Sequence, residues 1–312
     1  METEEKLAVN ARTENGRRYL WSTPDGLREA VRGLGPAGNR FLVVQRVPDL
    51  PREFAQVWHE EDGDYRLEHR RGTDEFAGTN LDDPDRVARL LAGWARRDDG
   101  WDAGIAWEPV PLPPTAPAPA LPADVAARAE DLVRALLRDG YLGIDGLVRE
   151  TVELMADDGP DGTAPLSAAQ ARELVERLWV ARVAEQRAWT GPTDPERLSR
   201  AFTALEREGV VAREDFTCCR SCGTAEIGAE AEDAGGARGF VFFHRQSTRS
   251  AAEGHGLSLH YGGFDGSAET TTAVGREVTA ALTAAGLSAV WDGDPAKAIE
   301  LTSLTWHKRL VG

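Results

Sequence analysis

The sequence predicts an α+β fold in two domains: an antiparallel-sheet α+β domain, then a helical bundle fused to a small ββαββ sheet unit. Three observations carry that expectation. A proline-rich stretch, PVPLPPTAPAPALP at residues 109–122, divides the chain. Before it, short runs alternate in polarity with the two-residue period of strands. After it, apolar residues first recur at helical spacing and then return to strand-like runs around one further helix.

Each element follows from its residues. Helix one begins after Pro24 and places Leu27, Ala30, Val31 and Leu34 on one side. RFLVVQRV, EFAQVWHE and DYRLEHRR read as three strands within residues 40–72, parted by turns carrying Pro48, Asp49 and Pro51, then Asp62 and Gly63. A helix with Val87, Leu90, Leu91 and Trp94 follows Asp83, with Pro84 suited to its first turn. GIAWEPV is the last strand of this domain, 1–108. Prolines cannot donate backbone N–H groups and favour extended backbone, so 109–122 reads as a semi-rigid linker. Domain 123–312 comprises a helical part, 123–212, and a small α+β part, 213–312. Its helices run over 123–138, 144–156, from the N-cap Ser167 to about Trp189, and from Thr193 or Asp194 with Leu198, Ala201, Phe202 and Leu205 inward. GFVFFH and LSLHYG are strands, TTAVGREVTAALTAAG a helix ending at Gly286, and SAVWDG and SLTWHKRL strands.

Composition narrows the function classes. The net charge is −16, of which −6 falls up to residue 110 and −10 after it. Both halves repel a phosphate backbone, so nucleic acid is not an expected partner. No apolar stretch approaches the roughly 18 residues of a membrane helix, and METEEKLAVNARTENGRRYLW is no signal peptide. The three cysteines all lie between Cys218 and Cys222, unlike a secreted disulfide framework. The expectation is a cytoplasmic protein with no membrane association.

Several motifs read as structure rather than chemistry. GLGPAG (33–38) has dinucleotide-loop spacing, but a helix precedes it and a strand follows, the reverse of what a pyrophosphate site needs. DDGPDG (157–162) lacks the spacing of a calcium loop and reads as a solvated turn. Gly223 to Gly239, with Glu226, Glu230, Glu232 and Asp233, reads as an exposed excursion. Trp58, Trp94, Trp101 and Trp107 suit a core of large residues or an aromatic anchor for a protein partner.

Cys219-x-x-Cys222-Gly223 carries the sharpest chemistry. A two-residue spacer lets both thiolates converge, and the glycine permits a tight turn. Cys218 would point away if the backbone there is extended. His244 ends one predicted strand and His260 lies on the next, so Cys219, Cys222, His244 and His260 are the candidate ligands of one structural zinc ion. Buried unliganded cysteines, reversible dithiol chemistry, and a catalytic cysteine with His244 as base also fit this spacing.

From about residue 125 to 312, QRAWTGPTDPERLSRAFTALEREGVVAREDFTCCRSCGTAEI, GFVFFHRQST, VGREVTAALTAAGL and VWDGDP occur in order. With them the chain resembles an uncharacterised, mainly actinobacterial domain family of unknown function, with a CCxxCG and FFHxQ signature. Ser247 stands where that family usually has an acid, and Thr224 where it has a bulkier residue. RFLVVQR, the aromatic strand and YRLEHRRG look like small α+β domains of bacterial immunity proteins and secretion chaperones. The resemblance implies architecture and no activity. The expected function is a non-enzymatic protein-interaction role with a zinc knuckle; the alternative is an enzyme or redox protein using the Cys219/Cys222 dithiol with His244.

Overall fold

The computed structural model describes residues 5–72, 75–112, 117–157, 163–233 and 236–311. It is α+β, and its contacts divide the chain into two compact units. DDGPDG (157–162) lies outside the described residues but for the backbone of Asp157, and Pro113 and Pro114 of the linker also lie outside them.

The first unit comprises 1–122, 143–183 and 310–312. Strands β1 (Val9–Thr13), β2 (Arg18–Leu20), β3 (Phe41–Leu50), β4 (Glu53–Trp58), β5 (Tyr65–Arg71), β6 (Glu75–Leu81) and β7 (Glu108–Pro109) form one antiparallel sheet in the order β2-β1-β3-β4-β5-β6-β7. Helices α1 (Pro24–Arg32) and α2 (Pro84–Arg96) each begin at a proline after a capping side chain. Thr23 accepts from the Gly26 amide, and Asp83 from the Asp85 amide. Their apolar stripes, Leu27 and Val31 with Val87, Leu91 and Trp94, share a core with Val9, Ala11, Leu42, Val44, Val57 and Leu67. Asn10, Arg12 and Gln45 alternate out of phase with that core, on β1 and β3. Trp94 is therefore core, whereas Trp58 is 41% exposed. GLGPAG is a helix-to-strand turn between α1 and β3.

Helices α4 (Ile144–Asp157) and most of α5 (Ala168–Gln186) belong to this first unit, although they follow the proline-rich segment in sequence. Trp179 Nε1 donates to the Asp49 carbonyl at 2.6 Å. The segment itself is docked: the Ala118 amide donates to Glu173, and Gln170 donates to the Pro119 carbonyl.

The second unit comprises 123–142 and 184–309. It holds α3 (Ala123–Asp139), α6 (Asp194–Arg207), β8 (Val210–Arg213), α7 (Arg220–Asp233), β9 (Gly239–Phe242), α8 (Arg245–Ala252), β10 (Leu257–Gly263), α9 (Ala268–Ala284), β11 (Ala289–Val290) and β12 (Ile299–Leu301). Sheet order is β11-β12-β10-β9-β8; β8 and β9 are parallel and the other pairs antiparallel. Leu198, Phe202, Val241, Phe243, Leu259, Val274 and Val278 build the main core. Ile227 of α7 packs separately with Val211 and Phe242. The stretch expected as an exposed excursion is thus largely a helix with a buried anchor. Residues 303–310, expected as a strand, carry none. No helix among the described residues is long and apolar enough to cross a membrane.

Candidate metal centre

Two parallel strands end side by side, and each leads straight into a helix. Val210 pairs with Gly239 and Arg213 with Phe242, so the carboxyl ends of β8 and β9 are adjacent. Pairing persists past both strands: the Phe216 amide donates to the Phe243 carbonyl at 2.8 Å, and the Arg245 amide to the Thr217 carbonyl at 3.2 Å. Open parallel sheets gather binding groups at such carboxyl ends, because loops and helix N-termini converge there. Here β8 delivers the cysteines at the start of α7, and β9 delivers His244 at the start of α8.

The bend before the cysteines is strained. Asp215 has φ 49° and Thr217 φ 62°, both left-handed, a conformation that a β-branched residue such as Thr217 rarely adopts. Thr248 Oγ1 donates to Asp215 Oδ1 at 2.6 Å, and Thr217 Oγ1 to the Cys219 carbonyl at 3.1 Å, holding it. Burial raises the Asp215 carboxyl to about 6. The backbone is therefore not extended at Cys218, and the expectation that its side chain points away is corrected. The sulfurs of Cys218, Cys219 and Cys222 all lie within 4.8 Å of one another, and those of Cys218 and Cys222 are 3.4 Å apart.

Helix α7 polarises this group. The backbone amides of Cys222 and Ser221, with the neighbouring thiols, lower the pKa of Cys219. First-turn N–H groups have no partner within the helix, so they stabilise a thiolate. Hydrogen bonding to Cys218 and Cys219 pushes the Cys222 thiol up to about 11.

Gly223 has a different task from the one its position after a CxxC suggests. It lies inside α7 without a positive φ. A Cβ there would overlap Phe242 Cε2 and sit 2.7 Å from Cζ, so the missing side chain lets α7 lie against a fully buried ring. Close approach, not turn geometry, requires this glycine.

The histidines are near the cysteine segment but occupied otherwise. His244 is the N-cap of α8: its Nδ1 accepts from the Ser247 amide at 3.2 Å, and its Nε2 lies 3.4 Å from Ser247 Oγ. His260 stacks on it at 5.3 Å between ring centroids and lies 5.4 Å from Phe242. Burial lowers the pKa of both rings, with the positive charge of Arg220 adding to it, and His260 reaches about 4. The charge of Arg220, set between the cysteines, therefore acts on both rings. Among the described residues, the ligand atoms gathered within 4.8 Å of one another are the three sulfurs, without either imidazole. Of the four ligands expected, Cys219 and Cys222 come together and His244 pairs with His260. Cys218 is the sulfur that sequence reasoning left out of the cluster, and the doubled CC was the signal that could have found it.

Neither the curated proteins nor the solved structures contain a match to the chain. A family model described as Domain of unknown function (DUF6891) matches residues 122–310, starting where the proline-rich segment ends and taking in the cysteine cluster, the His pair and both units' helices downstream. Covering more than half of the 312 residues, that match places the chain in the DUF6891 family.

Proposed function

We propose that this chain is a metal-binding protein whose ion, zinc by preference, is held by the thiolates of Cys218, Cys219 and Cys222. One observation carries the reading: three sulfurs within 4.8 Å of one another at a helix N-terminus. Zinc–sulfur bonds of about 2.3 Å require sulfurs spaced in this range. The α7 amides offset the negative charge that three thiolates bring. Three protein ligands leave a fourth position, filled by water or by a partner's side chain, which suits a non-enzymatic interaction protein in the cytoplasm. On the first unit, exposed Trp58 with the Arg40 guanidinium 5.1 Å from its ring centre is the matching aromatic anchor.

Anaerobic titration of the reduced full chain with Co(II), displaced afterwards by Zn(II), tests the site. One equivalent should give sulfur-to-metal charge-transfer absorption. Cys219→Ser and Cys218→Ser should both abolish it, while His244→Ala should retain it. Retention in Cys218→Ser with loss in His244→Ala would restore the Cys2His2 ligand set and refute the three-sulfur site. The 3.4 Å gap between Cys218 and Cys222 favours a second reading, a reversible dithiol that passes two electrons to a disulfide substrate as its own disulfide forms. No cobalt binding together with a Cys218–Cys222 disulfide in mass spectrometry would select it.

A further inference from the structure

Three sulfurs give a metal ion three ligands, and a tetrahedral ion asks for a fourth. Among the described residues no imidazole or carboxylate joins the sulfurs within 4.8 Å. Cys218 is exposed and Cys219 and Cys222 are half-buried, so the cluster lies at the protein surface and a fourth ligand reaches it from solvent. An ion that already holds thiolates accepts another sulfur readily, and a four-sulfur set closes the coordination of zinc.

Arg220 adds a second feature. It follows Cys219 directly and stands two residues before Cys222, at the first position of α7. It is exposed, and its side chain forms no hydrogen bond or ion pair among the described residues. Its positive charge nevertheless reaches inward, adding to the lowered pKa of His244 and His260. Other arginines of this unit are spent: Arg213 on Glu206 and Glu230, Arg249 on Asp139. A free guanidinium beside a coordination position offers two parallel N–H donors, the fork that fits a carboxylate. The first-turn amides of α7 favour negative charge in the same turn.

Resting on the three-sulfur site proposed above, we infer that the fourth ligand is a small thiol carrying a carboxylate, its sulfur on the ion and its carboxylate on Arg220. The incoming thiol loses its proton to solvent, a metal–sulfur bond forms and a bound water leaves; no electron is transferred. Water alone uses the ion and not Arg220. A simple carboxylic acid brings the ion a hard oxygen in place of sulfur. A cationic thiol meets Arg220 with like charge.

The test is an anaerobic titration of the cobalt-loaded full chain with 3-mercaptopropionate, 2-mercaptoethanol and cysteamine, which share an ethylene spacer and differ in charge. The acid should half-saturate below about 1 mM and raise the sulfur-to-cobalt absorption by about one third, as four sulfurs replace three. The neutral and cationic thiols should bind about tenfold more weakly or worse. Arg220→Gln should weaken the acid by about tenfold, leave 2-mercaptoethanol within about twofold, and still take up Co(II) as wild type does. If the chain takes up no Co(II), the three-sulfur site falls and this inference with it. If Co(II) binds and the acid leaves the spectrum unchanged or strips the ion, the inference alone is overturned. Equal binding of the three thiols, or an Arg220→Gln chain that binds the acid as wild type does, also overturns it, leaving an open metal site without carboxylate recognition.

Discussion

Replacing Asp49 with Asn should stabilise the first unit at neutral pH, by an amount that vanishes in acid. The carboxyl is buried, its Oδ1 has no hydrogen-bond partner among the described residues, and burial raises it from the ordinary 3.8 to about 7. Between about pH 4 and 7 the unfolded chain ionises this group while the folded chain keeps it protonated. Stability is therefore fully present below the unfolded pKa and is lost as pH rises through the folded one. A displacement from 3.8 to about 7 corresponds to a loss of about 4 kcal/mol as a ceiling. Asparagine keeps the size and a bond to Gln45 but cannot ionise. Urea unfolding followed by tryptophan fluorescence, with Trp94 and Trp179 buried in this unit, reads the effect. Relative to wild type, Asp49→Asn should gain roughly 3 kcal/mol more at pH 8 than at pH 4.5. A stability difference that stays flat across that range refutes the reasoning.

Other perturbations follow from single contacts. Gly223→Ala should destabilise the second unit by about 1–3 kcal/mol, because the new methyl meets Phe242 in its buried cluster, less a gain of up to about 1 kcal/mol in helix propensity; denaturant midpoints read it, and an unchanged midpoint would remove the close-approach argument. Arg249→Ala should cost about 1–3 kcal/mol by leaving Asp139, which accepts three hydrogen bonds of 2.7, 3.0 and 3.1 Å from it, without its guanidinium; the loss should show as a lower midpoint for that unit. Trp179→Phe removes the 2.6 Å donation to the Asp49 carbonyl together with part of a fully buried ring, and should cost about 2–4 kcal/mol in the same urea assay.

Periodicity was enough for the long elements. Leu27 and Val31, Val87 and Trp94, and Leu198 with Phe202 mark helices that exist where spacing and proline place them. The short ones escaped for identifiable reasons. In α7 the repeated Ala, Gly and Glu residues carry almost no apolar stripe, and a single buried Ile227 anchors it. Val210–Arg213 is too brief to show alternation and is buried along most of its length. β1 and β2 are too short and polar to stand out, with Asn10, Arg12 and Arg18 interrupting any apolar run. At the cysteine cluster, the CxxC was legible but its third sulfur was not. Bringing Cys218 beside Cys222 depends on left-handed backbone at Thr217, a non-glycine residue whose conformation no residue pattern announces.

The location of the cysteines follows from one exception in the second sheet. Antiparallel strands can be joined by tight turns, but the parallel β8 and β9 require a crossover, and α7 is that crossover. A crossover helix must start at the carboxyl end of its strand, so its unsatisfied amides open beside the end of β9, where α8 starts as well. Had β8 paired antiparallel, the cysteines would have left the sheet at the opposite end from His244 and Arg245. Packing then sets how closely the helix approaches, because Gly223 admits the Phe242 ring to α7; in the sheet beside it, Gly239 of β9 admits the Gly262 carbonyl of β10, 2.6 Å from where a Cβ would stand. The family match spans this whole β8-α7-β9-α8 block. Gly223 directly follows Cys222, so a methyl there that lifts the first turn of α7 off the Phe242 ring should alter thiol reactivity without touching a cysteine.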